Sequence, residues 1–128
     1  MTAQTLPILI VDDEPDNRTL FRRMFEFHGF QVFEAADGYA ALQITKYLRP
    51  ALILLDLSMP HLDGWETARR LRRDSRLANV PIIAVTANVW PKGAAEARLA
   101  GCDEVVTKPF EIDDLVTRVF SRLDLVPA

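Results

Sequence analysis

Short apolar runs alternate with longer amphipathic stretches along this chain, and the two textures predict two kinds of element. The runs cover residues 8–11, 31–35, 51–55, 80–85 and 104–106. All but the second and the last are apolar nearly throughout, as in Ile8-Leu9-Ile10-Val11 and Ala51-Leu52-Ile53-Leu54-Leu55. Strands buried on both faces read this way, and such strands belong to parallel sheets covered by helices.

The stretches between the runs read as helices. Over 15–28, Leu20, Phe21, Met24 and Phe27 fall at helical spacing; Pro15 suits a first turn, and Gly29 a left-handed stop. Over 37–48, Asp37 is the candidate N-cap, Ala41, Ile44 and Leu48 share a face, and Pro50 follows the end. A third helix starts near Asp63 or Gly64 and runs to about Asp74. A fourth, 91–100, is mostly alanine with Gly93 inside, so it buries little area and is expected to pack loosely. The last, 111–123, has the clearest apolar stripe, through Ile112, Leu115, Val116, Val119, Phe120 and Leu123. Strand and helix in regular alternation imply a doubly wound α/β sheet.

Composition narrows the class. The chain has 128 residues, 15 basic and 18 acidic, for a net charge of -3; 49% of its residues are hydrophobic and 26% charged. That is one soluble domain, spanning 1–128, with no room after the last helix for an output domain. No apolar stretch approaches the roughly 20 residues of a membrane span, and the first residues carry no signal-peptide pattern. Cys102 is the sole cysteine, so neither an intrachain disulfide nor a cysteine zinc site is expected, and a cytoplasmic setting is the default. The acidic balance argues against non-specific nucleic-acid binding.

In an open parallel sheet, ligands bind beyond the carboxyl ends of the strands. The residues there are Asp12, Asp13 and Glu14 after the first run, Asp56 after the third, Thr86 and Ala87 after the fourth, and Thr107, Lys108 and Pro109 after the fifth. Converging carboxylates repel one another, and a hard divalent cation such as Mg²⁺ removes the conflict. The charges of Asp12, Asp13 and Asp56 are balanced by Mg²⁺ and Lys108. A nearly neutral site of this kind can accept a phosphoryl group on a carboxylate, with metal, lysine and the Thr86 hydroxyl around its oxygens.

These residues, together with Met59-Pro60-His61-Leu62-Asp63-Gly64 and Lys108-Pro109-Phe110 at the strand ends, resemble a response-regulator receiver domain of the stand-alone, chemotaxis type over essentially the whole chain. The resemblance implies a flavodoxin-like three-layer fold, with five helices around a five-stranded sheet of order 2-1-3-4-5. It makes Asp56 the phosphoacceptor. Asp13, Asp56 and the Ser58 backbone carbonyl become Mg²⁺ ligands, with Asp12 acting through water. Lys108 becomes the partner of the phosphoryl oxygens and Thr86 the residue that reports phosphorylation. It also implies a cis Lys108–Pro109 bond. The phosphodonor is then a histidine kinase or histidine phosphotransfer protein, and the output is a change of affinity for a downstream protein. The chain has no separate substrate to turn over, binds no DNA directly, and is a monomer or weak dimer. Ser58 and Asn88 occupy positions that tune hydrolysis in similar domains. Val105 stands where similar receivers carry Tyr or Phe, which shifts the expected switch toward residues 86–91 and the fourth helix.

Plainer roles fall to other residues. Glu14 and Asp16 complement a helix start. Arg69, Arg70, Arg72, Arg73 and Arg76 read as a solvated face. His28 suits a helix C-terminus, His61 lies in a loop with no second soft ligand, and Cys102, Trp65 and Trp90 read as packing residues. The alternative function is a phosphorylation-independent interaction module on the same fold. A haloacid-dehalogenase-type phosphatase would need an aspartate where Ser58 stands; a flavodoxin would need a Gly/Ser/Thr-rich first loop, and a dinucleotide domain a Gly-x-Gly-x-x-Gly motif.

Overall fold

The computed structural model describes residues 6–59, 62–87 and 91–125. Strands and helices alternate as β1 (Pro7–Val11), α1 (Pro15–Phe27), β2 (Gln31–Ala35), α2 (Gly38–Ile44), β3 (Leu52–Asp56), α3 (Gly64–Arg73), β4 (Ile82–Thr86), α4 (Pro91–Leu99), β5 (Glu104–Thr107) and α5 (Ile112–Arg122), with a 3-10 turn at Ser75–Leu77. The strands pair in parallel in the order β2-β1-β3-β4-β5.

Successive strand residues point to opposite faces, so each apolar run serves two cores. Leu9, Val11, Ile53, Leu55, Ile82 and Ala84 meet Ala41, Ala68, Leu71 and Ala97 of α2, α3 and α4. Ile8, Ile10, Leu52, Leu54, Ile83 and Val85 meet Phe21, Phe25, Leu115 and Phe120 of α1 and α5. The central strands β3 and β4 are buried at every position, which explains why they read as unbroken apolar runs.

Three expectations about the helices are corrected. On α1 the buried face is Phe21, Met24 and Phe25, while Leu20 is 46% and Phe27 85% exposed. The i, i+3, i+4 set that contains Phe25 faces the sheet, and Phe27 lies off it. On α2 the regular helix ends at Ile44, not at Leu48. The buried Thr45 hydroxyl donates back to the Ala41 and Leu42 carbonyls, and the Thr45 carbonyl accepts from Arg76 Nη2 at 2.7 Å. On α5 Ile112 is 42% exposed at the first helical position.

Two helices end on left-handed glycines, Gly29 (φ 89°) and Gly101 (φ 110°). After α1, Gly29 N–H donates to Glu26 O and Phe30 N–H to Phe25 O; after α4, Gly101 and Cys102 repeat the pattern on Arg98 and Ala97. This is the Schellman closure, in which a positive φ turns the chain back toward the next strand. The basic run is also not one solvated face. Arg72, with 19% of its side chain exposed, donates to the carbonyls of Gly101 (2.8 Å), Leu77 (2.7 Å) and Val80 (2.6 Å) and pairs with Asp103 at 2.7 Å. His28 sits between the Phe27 and Phe120 rings, at 5.2 and 5.5 Å.

Candidate functional site

The carboxyl ends of β1, β3, β4 and β5 lie side by side because the strands are parallel and in register, with Val11 beside Leu55, Asp56 beside Val85 and Thr86 beside Thr107. Asp12 follows β1 directly and is 2% exposed; Asp56 ends β3 at 6% and Thr86 ends β4 at 4%. Asp13 and Ser58 are exposed, and Lys108 is half-buried. One carboxylate oxygen from each of Asp12, Asp13 and Asp56 falls within 4.8 Å of the others.

Backbone amides orient the buried acids. Glu14 N–H donates to Asp12 Oδ1 and Ser58 N–H to Asp56 Oδ1, each at 2.9 Å. The Lys108 amide donates to the Thr86 carbonyl at 2.8 Å, which brings the loop after β5 to the end of β4. The Lys108–Pro109 bond is cis. Phe110 stacks on Phe21, centroids 6.1 Å apart, and fastens that loop to α1.

Burial pushes the Asp12 carboxyl above its ordinary range, and the negative charge of Asp56 pushes the same way. The Glu14 amide, the Lys108 charge and a hydrogen bond with the Asn17 side chain oppose that shift without cancelling it. Removing a carboxylate from water beside a like charge is unfavourable, so the cluster is held together by the fold rather than by its own interactions.

The segment after β3 serves the site through shape. Met59 and Leu62 are buried, and Asp63 caps α3 by accepting from Glu66 N–H at 2.8 Å. A Cβ at Gly64 would strike the Asp56 carbonyl and the Leu57 Cα. Only glycine lets the start of α3 lie directly against the end of β3.

Every candidate residue anticipated from sequence at a strand end is placed at this edge, and the carboxylates of Asp12, Asp13 and Asp56 are brought together. Pro60, His61, Asn88 and Trp90 lie outside the described residues. Two supporting residues escaped the sequence reading. Arg18 Nη1 donates to the Asp12 carbonyl at 2.8 Å while its Nε pairs with Glu34 at 3.2 Å, and Asn17 bonds Asp12. Their spacing from Asp12, within the first turn of a helix, was the available signal. Val105 is half-buried and packs against the core under α2, α3 and α4.

Comparison with known proteins agrees with this geometry. The family model for the response regulator receiver domain matches residues 8–120. The polar-differentiation response regulator DivK of Brucella anthropi is 32% identical over 116 residues, covering 91% of this chain and 94% of that protein. The DNA-binding dual master transcriptional regulator RpaA of Synechocystis is 36% identical over 123 residues, 94% of this chain; the match spans only about half (51%) of RpaA. Among solved structures, the receiver domain of the sensor histidine kinase PA1611 from Pseudomonas aeruginosa, which has a magnesium ion coordinated in its active-site cleft, superimposes with a TM-score of 0.85 at 32% identity, covering 93% and 98% of the two chains. The chain therefore belongs to the response regulator receiver domain family of two-component signalling.

Proposed function

We propose that this receiver accepts a phosphoryl group on Asp56 from the phosphohistidine of a kinase or phosphotransfer protein, in a Mg²⁺-dependent reaction, and that the phosphorylated form changes its affinity for a protein partner. The observation that carries this reading is the convergence of the Asp12, Asp13 and Asp56 oxygens beside Thr86 and Lys108 at the carboxyl edge of the sheet.

The donor set fits Mg²⁺, which takes hard oxygen ligands and retains water. Asp13, Asp56 and the Ser58 carbonyl would hold it, with Asp12 reaching it through water. Bound there, it supplies positive charge beside the transferring oxygens. The protein's own residues do the rest. The Ser58 amide holds the Asp56 carboxylate in one orientation. An Asp56 oxygen attacks phosphorus, the P–N bond to the donor imidazole breaks, and the electron pair stays on that nitrogen, which takes a proton from solvent. The Lys108 ammonium pairs with a phosphoryl oxygen, and the Thr86 hydroxyl donates to another. Hydrolysis reverses the attachment: water attacks phosphorus, and the P–O bond returns its electrons to the Asp56 carboxylate. No separate substrate is turned over. The surface of α4, β5 and α5 carries the output.

Intact mass after incubation with Mg²⁺ and acetyl phosphate tests the reading. One phosphoryl adduct is expected on the wild type and none on Asp56→Asn or in the presence of a chelator. A folded, Mg²⁺-supplied protein that takes no adduct would overturn it and favour a phosphorylation-independent interaction module.

A further inference from the structure

A groove of about 390 Å³ separates α2 from α3, away from the carboxylate edge. Leu71 and Leu77 are buried at its base, Leu42 is half-buried, and Tyr39 stands 54% exposed on its wall. Lys46 and Arg70 line it as well, together with Asp74, whose carboxylate is taken by Arg76 at 2.6 Å. The outer side is open, since Tyr39, Gln43 and Lys46 are all exposed.

The charge around this groove is unbalanced. Arg69 and Arg70 share the single carboxylate of Glu66, and Arg76 takes Asp74. Lys46, Arg49 and Arg73 have no salt-bridge carboxylate among the described residues. Arg49 instead donates to the Arg76 carbonyl at 2.9 Å, and Arg76 to the Lys46 carbonyl at 3.3 Å, so these cations are gathered at the end of α2. A local excess of cations on a chain of net charge -3 marks this face as complementary to an acidic partner.

We propose that the α2–α3 groove docks an acidic peptide segment of a partner protein, with one leucine-like side chain against the half-buried Leu42 and the exposed Tyr39 ring and flanking carboxylates on Lys46 and Arg70. A small molecule is a poorer fit, because ligand sites bury most of their occupant and this groove is open outward. A nucleic acid is a poorer fit too. Its backbone would match the cations, but among the described residues Tyr39 is the one aromatic ring on the lining for bases to stack on. None of the lining residues belongs to the phosphoacceptor site, so docking here and output elsewhere are compatible in one molecule.

The test uses the unphosphorylated full chain, and its outcome is independent of Asp56 chemistry. A short fluorescein-labelled polyglutamate peptide with a central leucine is titrated by anisotropy, and amide shifts of the protein are followed with the same peptide. Saturable binding is expected, about tenfold weaker for Lys46→Glu combined with Arg70→Glu and unchanged for Arg98→Glu on α4. Replacing the central leucine by serine weakens binding, and the shifts concentrate at residues 39–46 and 70–77. The amide map needs no variant, so a misfolded double mutant does not spoil the test. Absence of saturable binding, indifference to both the leucine and the charge reversals, shifts elsewhere, or tighter binding of a single-stranded oligonucleotide would each overturn the proposal.

Discussion

At the scale of single residues, the site is a set of groups held where they would not sit unaided. Asp12 is 2% exposed and faces the charge of Asp56. Asp12→Asn removes the buried charge while keeping the shape and the capacity to accept from Glu14. The metal-free variant is therefore expected to melt a few degrees higher than wild type and to bind Mg²⁺ more weakly. Thermal melts in chelator and a Mg²⁺ titration followed by tryptophan fluorescence check both; an unchanged Tm would mean that the fold does not strain against this charge. Cys102 illustrates burial acting on a thiol. It is 4% exposed, and burial raises its pKa to about 12. A raised folded-state pKa contributes stability below the unfolded value, near 9, and that contribution is lost as pH rises toward 12. Urea melts across that window are expected to fall more steeply for wild type than for Cys102→Ala. At neutral pH the native thiol should alkylate far more slowly than the unfolded one.

At the scale of elements, one arginine does what sequence position did not announce. Arg72 reaches from α3 to carbonyls at both ends of the segment leading into β4 and to the turn after α4, and its partner Asp103 also accepts from Ile82 N–H at 2.8 Å. The clamp ties α3, β4 and the C-terminal end of α4 to one guanidinium. Arg72→Met keeps much of the aliphatic stem and leaves the carbonyls without their donor, at a cost of about 2–4 kcal/mol. A loss below about 1 kcal/mol in urea melts would show that water replaces the guanidinium. Gly64→Ala tests a different joint. Its Cβ meets the backbone at Asp56 and Leu57, so α3 must move off β3, and slower phosphorylation of Asp56 by acetyl phosphate is expected alongside lower stability.

At the scale of the whole molecule, two cores of different quality flank one sheet. The α1–α5 side buries large side chains such as Phe21, Phe25 and Phe120, whereas α4 contributes Ala97, with Ala100 in the turn after it, and leaves Leu99 87% exposed. Less apolar area means cheaper local opening. Amide exchange in α4 is expected to be about ten- to a hundredfold faster than in α5. With a phosphoryl mimic such as beryllofluoride, the change should concentrate in α4 and near Thr86. Val105 is short, stiff and already packed against the core, so it contributes little to such a change. Equal protection of α4 and α5, unaltered by the mimic, would remove α4 from the switch.

Strand identity, helix order, the cap at Asp37, the start of α3 near Asp63, the stop at Gly29 and the strand-end position of each candidate site residue were all legible in the amino-acid sequence. Each depends on local patterning or on the few residue types a local conformation tolerates. Strand order entered only through the resemblance to receivers, because periodicity does not say which strands are neighbours. Several matters were decided by tertiary structure. Phe25 rather than Phe27 faces the core, because packing against the sheet buries the stripe of Phe21, Met24 and Phe25. The regular turns of α2 stop before Thr45, whose carbonyl is taken by Arg76 from a distant segment. Arg72 differs from its arginine neighbours because Gly101, with no side chain, admits it. The drawing together of Asp12, Asp13 and Asp56 is also tertiary: the sequence names the carboxylates, but parallel pairing in register brings their oxygens within 4.8 Å.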